Sequence, residues 1–452
     1  MLQTLLAILL LEGFVTISVE ILTIRQLIPF FGNSVIITSI IIGFFLLFLA
    51  LGYWRGGSYQ HDFYRKLSNN FIRAMIWIGI GLSYVFILFF YYLTAIRLLF
   101  PYWISLTLYL LLVLAPIVYW LGQTIPLTTN LFNQQLKVSH ISGRALFLST
   151  IGSFLGALVT SLLLFQYLGV AWTVFINCLL LYGLIIQLRS SADLHWGSVL
   201  MLLIVILLIM IININYEKKL FKLTNNYANY QVLETKEFNK VLQINLSGSS
   251  MLSSDRKAYP YIEFIRNLLF EQLQLRHKKI LVIGAGGFSL TASGTNNNEV
   301  TYVDIDPDIK ELAEKHFLGE PVSGRFVGQD ARLYLNQDPQ RFDVIVSDVY
   351  SNQATVPESM LTREYFRQLD SHLKPHGFIV VNIIASPFFR DTYSKRVYNT
   401  VHQVFPFCAV IPLHWHEQKS NVIYICGKQS PDKSVYRDDL NSATFDYFTG
   451  GF

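Results

Sequence analysis

The 452-residue chain reads as a polytopic α-helical membrane domain followed by a parallel, doubly wound α/β domain, with a small β-region between them. Three observations carry this reading. The chain is 52% hydrophobic and only 14% charged, against about 25% charged in ordinary soluble domains. Its first 215 residues hold nine Lys/Arg and four acids, leaving 26 of each sign for the rest (35 less 9, 30 less 4). Beyond residue 216, short continuous apolar runs alternate with helical stretches. The predicted division is a membrane domain at 1–215, a β-region at 216–258, a Rossmann-like domain at 259–430 and a tail at 431–452.

A membrane-spanning helix needs about 20 apolar residues. Seven stretches qualify, near 3–24, 34–53, 72–96, 101–121, 145–167, 170–188 and 196–214. Glu12 and Glu20 make the first too polar for a cleaved signal peptide. Arg55, Arg65, Lys66 and Arg73 follow the second stretch, and Lys218, Lys219 and Lys222 follow the seventh. Both clusters ask for the cytoplasmic side, yet five spans separate them, so the two demands conflict. One stretch that does not cross, such as a re-entrant first helix, is one way out; a loop that breaks the charge rule is the other. Glu20 and Arg25 are expected to be structural, with Glu20 paired to Arg25 or Arg144 and Arg25 snorkelling from a helix end.

The second half has no net charge and no basic stripe, which argues against nucleic acid. "YQVLETKEFNKVLQINL" alternates as a β-hairpin does. The helix "AYPYIEFIRNLLFEQL" follows, then "KILVIG", "EVTYVDID", "FDVIVSD" and "FIVVNII". Continuous apolar strands separated by helices form a parallel sheet covered on both faces, which binds ligands at the carboxyl ends of its strands. Gly284, Gly286 and Gly287 follow the first of these strands. Asp304 ends the second, 20 residues after Gly284, the distance at which an acid meets ribose hydroxyls. Asp330 can accept from a helix-start amide or an adenine amino group, and Asp348 ends "FDVIVSD". The glycine spacing is G-A-G-G, which favours an adenosyl ligand without a pyrophosphate.

At these residues the chain resembles the spermidine synthase (polyamine aminopropyltransferase) family, of the type fused to transporter-like membrane spans. The matching stretches run in order: "YANYQVLE", "SGSSMLSSDRKAYPYIEF", "VIGAGG", "VDIDP", "GQDARLYL" and "DVYSNQATVPESMLTREYF". In the membrane half, "LEGFVTISVEILTIRQLIPFFGNS" and "ISGRALFLSTIGSFLGAL" resemble the fused type. The resemblance implies a class I methyltransferase-type fold and transfer of an aminopropyl group from decarboxylated S-adenosylmethionine to an amine, without a metal. Gln231, Gly284, Gly286, Asp304 and Asp330 would cradle the adenosine, Asp348 would orient and deprotonate the amine, and Tyr259 would help hold it.

Four positions depart from the family pattern. Gly287 stands where the family's glycine turn carries an aspartate, and Ser351 stands where a second aspartate follows the catalytic one. Met251 replaces a glutamine and Tyr261 an acid. The acids for adenosine are therefore present, while those that would hold a polyamine are largely replaced. Two alternatives share the sheet: a methyltransferase using S-adenosylmethionine itself, and a non-catalytic membrane protein that senses an adenosyl ligand.

The remaining signals are smaller. Cys178, Cys408 and Cys426 imply no disulfide framework and no metal site. "HWHE" at 414–417 reads as a turn between strands, "SPFFRDTYSKR" as a lid or a helix start, and "ATFDYFTGGF" as a docking or disordered tail. Expected partners are an amine substrate, the lipid bilayer and a second copy of the chain. The expected location is a bacterial inner or plasma membrane, crossed several times, with the adenosyl domain in the cytoplasm where such sulfonium compounds are made.

Overall fold

The computed structural model describes residues 2–31, 35–132, 138–235, 239–350 and 356–427. Ser351 and the aromatic tail lie outside these. The described chain forms two compact units, one built on Met1–Ser254 and the other on Asp255–Glu311, Glu320–Tyr350 and the chain from Val356 onward.

The first unit opens with α1 (Gln3–Phe31), α2 (Val35–Gly57), α3 (Phe63–Gly81) and α4 (Tyr84–Arg97). It continues with α5 (Tyr102–Thr129), α6 (Ile141–Tyr167), α7 (Gly169–Leu188) and α8 (Trp196–Leu220). Among the described residues six helices are long and apolar enough to cross a membrane, or seven if α3 and α4 count as one span bent by 62°. Ser83 caps α4 by accepting from the Phe86 amide, and this break falls in the third predicted stretch rather than the first. Helices α1 and α6 pack backbone to backbone. A Cβ on Gly13 would strike the Ser149 carbonyl, and one on Gly152 the Leu10 carbonyl. Small residues of this kind let helices approach closely where lipid removes the hydrophobic drive for association.

Four antiparallel strands complete this unit in sequential order: β1 (Leu223–Thr224), β2 (Asn229–Glu234), β3 (Lys240–Ile244) and β4 (Ser247–Leu252). Charged groups latch them to the helices. Arg25 Nη2 donates to the Asn225 carbonyl at 2.9 Å and to Asn229 Oδ1 at 2.8 Å. Glu217 accepts from the Ala171 amide at 2.6 Å and from Thr224 Oγ1. Arg25 therefore does not snorkel. At 4% exposure it is buried, and it finds carbonyl and amide partners about 200 residues along the chain.

The second unit is a seven-stranded sheet. It begins with α9 (Pro260–Arg266), β5 (Lys279–Ile283), β6 (Glu299–Asp304), β7 (Arg325–Gly328) and α10 (Ala331–Gln337). Then come β8 (Phe342–Ser347), α11 (Arg363–Ser371), β9 (Leu373–Ala385), α12 (Thr392–His402), β10 (Phe407–Pro412) and β11 (Ser420–Gly427). The order across the sheet is β10-β11-β9-β8-β5-β6-β7, with β5 to β9 parallel and β10 and β11 antiparallel. This is the Rossmann-like, methyltransferase-type arrangement, with its switch point between β5 and β8. The strands bury both faces, with Leu281, Ile345, Ile379 and Tyr424 in one core.

One expectation is corrected here. Cys408 and Cys426 form a disulfide, because the β10–β11 register sets them directly opposite each other. A sequence separation of 18 carries no information about that register. The "HWHE" stretch is the turn of this hairpin, and Asp391 caps α12 by accepting from the Ser394 amide at 2.8 Å. Among the described residues no group of three or more His, Cys, Asp or Glu is placed to hold a metal ion.

Candidate active site

The switch point brings two strand ends together. Gly284 follows β5 with φ +89°, and its amide donates to the Val303 carbonyl of β6 at 2.9 Å. The Asp348 amide donates to the Ile283 carbonyl at 2.9 Å. A Cβ on Gly284 would strike the Asp348 carbonyl oxygen. Glycine is thus required twice, by backbone conformation and by the closeness of the next strand.

Asp304 closes over the same turn. Its Oδ2 accepts from the Ala285 amide at 2.8 Å and its Oδ1 from the Asp306 amide at 3.1 Å. The Gly286 amide also bonds this carboxylate, while burial pushes its pKa up. The acid therefore organises the glycine turn from beneath, in addition to whatever it offers a ligand. Ile305, the next residue, is left 51% exposed. An isoleucine exposed at a strand end, beside an aspartate held by backbone amides, offers an apolar face to a planar ring. Asp330 is the N-cap of α10, accepting from the Leu333 amide at 2.9 Å. Of the two roles the sequence left open, the helix-start amide is the one observed, and Leu333 stands 46% exposed in that first turn. Gln231 lies on β2 of the first unit, paired in register with Gln243.

Asp348 is held by side chains rather than by backbone amides. Its Oδ1 accepts from Asn382 Nδ2 at 2.9 Å, and Asn382 Oδ1 accepts from Asn421 Nδ2 at 2.9 Å. This amide relay crosses three neighbouring strands, β8, β9 and β11. The Tyr261 hydroxyl donates to the carboxylate from the chain just after Tyr259. Enclosure of the carboxyl raises its pKa, partly offset by the bonds from Asn382 and Tyr261. The residue as a whole keeps partial exposure. An acid raised by burial yet pinned by two donors has the character of a positioned base.

Tyrosines enclose this acid. Tyr259 and Tyr261 stack with ring centroids 6.3 Å apart at 19°. Tyr350 donates its hydroxyl to the Asn382 carbonyl at 3.2 Å and accepts from the Ile384 amide at 2.7 Å. Tyr261 stands where an acid was looked for, and it serves Asp348. Sequence reasoning missed Asn382, Asn421 and Tyr350. The visible signal was an amide inside the otherwise apolar run "FIVVNII".

Replacing Asn382 by alanine tests the relay. With one donor gone, the Asp348 carboxylate loses stabilisation and its pKa rises further. The acidic limb of kcat/KM is then expected to move to higher pH, with kcat/KM falling about ten- to a hundredfold. A lower melting temperature with the limb unmoved would make Asn382 a packing residue only.

Residues 260–435 match the family model described as "Spermine/spermidine synthase domain". A polyamine aminopropyltransferase of Vibrio vulnificus is 28% identical over 160 residues, covering 33% of this chain and 52% of that protein. Another, of Leptospira interrogans, is 23% identical over 390 residues, covering 80% of this chain and 75% of that protein. A match of that length extends well into the helical half. The crystal structure of a probable spermidine synthase from Corynebacterium glutamicum aligns with 21% identity and a TM-score of 0.40, covering 46% of this chain and 81% of that one. The chain thus spans about half the length of the Vibrio relative it matches.

Proposed function

Because the chain carries a spermine/spermidine synthase domain and has polyamine aminopropyltransferases among its relatives, we propose that it transfers an aminopropyl group from decarboxylated S-adenosylmethionine to an amine. The acceptor nitrogen attacks the carbon beside the sulfonium, and a C–N bond forms as the C–S bond breaks. The sulfonium leaves as the neutral thioether methylthioadenosine. The proton shed by the new secondary amine passes to the Asp348 carboxylate and on to water.

Gly284 and Gly286 give the backbone the approach a nucleoside needs. Asp304 faces the ribose, and the helix start capped by Asp330 faces the base, with Ile305 beneath it. Tyr259 steadies the amine. The observation that carries this reading is Asp348, raised by burial and held by Asn382 and Tyr261 beside the glycine turn. Positioned proton acceptors of this kind contribute about 10²–10⁴-fold. The test is to incubate detergent-purified protein with decarboxylated S-adenosylmethionine and a panel of amines and to measure methylthioadenosine. Nucleoside binding without product from any amine would sink the transfer reading. Methyl transfer from S-adenosylmethionine would replace it with the methyltransferase alternative.

We further propose that the apolar helices anchor the protein in a bacterial inner membrane, with α3 and α4 forming a re-entrant pair rather than a span. The 62° bend between them supports this. If the pair does not cross, four spans separate the basic loop after α2 from the basic end of α8, and both can face the cytoplasm together. Single cysteines at Ser58 and Lys222 are expected to resist a membrane-impermeant thiol reagent in intact cells and to react after permeabilisation. Labelling of one but not the other in intact cells would restore the seventh crossing.

A further inference from the structure

We infer that the helical unit holds a site of its own, for a single alkali-metal ion, on the seam between α1 and α6, with Glu12 as its charged ligand. Every contact that builds it lies within the first unit, apart from the transfer chemistry.

Glu12 lies on α1 at 1% exposure. Its oxygens accept from hydroxyls: Oε1 from Thr16 Oγ1 at 2.8 Å, one turn along the same helix, and Oε2 from Ser149 Oγ of α6 at 3.3 Å. Thr16 and Ser149 are themselves buried. A carboxylate enclosed in a bundle this apolar is costly, and such groups mark ion or proton sites by default. A hydroxyl has one donor and two acceptor lone pairs. Each one that donates to Glu12 therefore keeps lone pairs for a cation beside it.

Further along α1 the same seam carries a second polar group. Ser18 Oγ accepts from Thr160 Oγ1 of α6 at 2.8 Å and from Asn177 Nδ2 of α7 at 2.8 Å. All three residues are fully buried. Asn177 Nδ2 also donates to the Thr173 carbonyl, whereas Asn177 Oδ1 is enclosed without a hydrogen-bond partner. An orphaned oxygen in a bundle interior is an exception that asks for an ion or a water. Thr160 also opens a π turn in α6 (Thr160–Leu164), a distortion that helices carry mostly at functional positions.

The backbones hold the seam in place. Gly156 adds a third close approach of α6 to α1, its Cβ position lying against the Phe14 carbonyl. Ser153 Oγ donates to the Gly13 carbonyl at 3.2 Å. Helices locked this closely cannot part to hydrate the carboxylate. The donor set then selects the ligand. All of its acceptors are oxygens, which suits a hard cation rather than a transition metal. Calcium and magnesium draw on carboxylates in number or on substrate phosphates, while one carboxylate among neutral oxygens balances one positive charge.

Carbodiimide labelling tests the site on the unaltered protein. Detergent-purified protein is treated with dicyclohexylcarbodiimide, which modifies enclosed carboxyl groups, in sodium, potassium or choline chloride at one ionic strength and pH. Modification of Glu12, and of Glu20 as a less enclosed acid of the same helix, is read by peptide mass spectrometry. Sodium or potassium is expected to slow modification of Glu12 about tenfold relative to choline once the ion is about tenfold above its Kd, with Glu20 unprotected. Ser149→Ala leaves Glu12 in place but removes its partner, so protection should need about ten- to a hundredfold more salt. The protecting ion should also raise the melting temperature of the native protein and not that of Glu12→Gln. Equal modification of Glu12 in all three salts would overturn the inference and leave a proton-binding or packing acid. So would equal protection of Glu20, which would place the salt effect on the reagent. Where Glu12 reacts in none of the salts, the melting temperatures decide, and equal values in all three overturn it.

Discussion

Asp348→Asn is expected to lower turnover by about 10²–10⁴-fold while leaving nucleoside binding intact and raising the melting temperature at neutral pH. The two effects have opposite signs for one reason. Enclosure raises the pKa of this carboxyl in the folded protein above its unfolded value. For such a group the stabilising contribution is fully present below the unfolded pKa and is lost as pH rises through the folded one. The native protein therefore holds the carboxylate form at a cost that the unfolded chain does not bear. Asparagine removes that charge, can still accept from Asn382, and can meet the Tyr261 hydroxyl with its own amide. The gain in stability should shrink as pH falls into the range where Asp348 is protonated. Thermal melts of both proteins across pH, set beside methylthioadenosine release, check it. A destabilised variant at neutral pH would make Asp348 a structural acid.

Gly284→Ala is the second change with a large expected effect, acting on binding and folding together. The φ of +89° places an L-residue in a region alanine rarely adopts, at a cost on the order of 1–3 kcal/mol. The added methyl also strikes the Asp348 carbonyl, which belongs to backbone and cannot swing away. Relief requires β5 and β8 to separate at the switch point, where the Asp348 amide is bonded to Ile283. Loss of nucleoside binding by at least tenfold, on the order of 1.4 kcal/mol, is expected along with a lower melting temperature. Gly294, with φ +106° but open space around its Cβ position, is the matched control. Its alanine variant should show conformational strain alone and retain binding. Equal effects at the two positions would mean that the closeness of β8 does not matter.

The parts of the fold legible in the sequence were those with strong local signals. The strands β5, β6, β8 and β9 are continuous apolar runs, and their terminal Gly284, Asp304 and Asp348 stand at the strand ends. The short "RFVG" of β7 and the antiparallel β10–β11 hairpin had no such signature. Everything that depends on register was out of reach. Asn382 meets Asp348 and Asn421 only because β9 lies between β8 and β11, and the pairing of Cys408 with Cys426 follows from the hairpin. Arg25 illustrates the same limit in the helical half, since its partners Asn225 and Asn229 follow the last apolar stretch. Asp330 and Asp304 were legible as acids at strand ends and helix starts. Their engagement by the Leu333, Ala285 and Asp306 amides needed the backbone geometry.

The latch made by Arg25 and Glu217 has a practical corollary. Hydropathy alone invites a cut near residue 216, where the apolar residues stop, to obtain the α/β half in water. Such a cut would carry β1 to β4 away from the groups that satisfy them, exposing Asn225, Asn229 and Thr224 and leaving a buried arginine behind without its acceptors. A fragment meant to stand by itself should begin after Ser254, where the second compact unit starts.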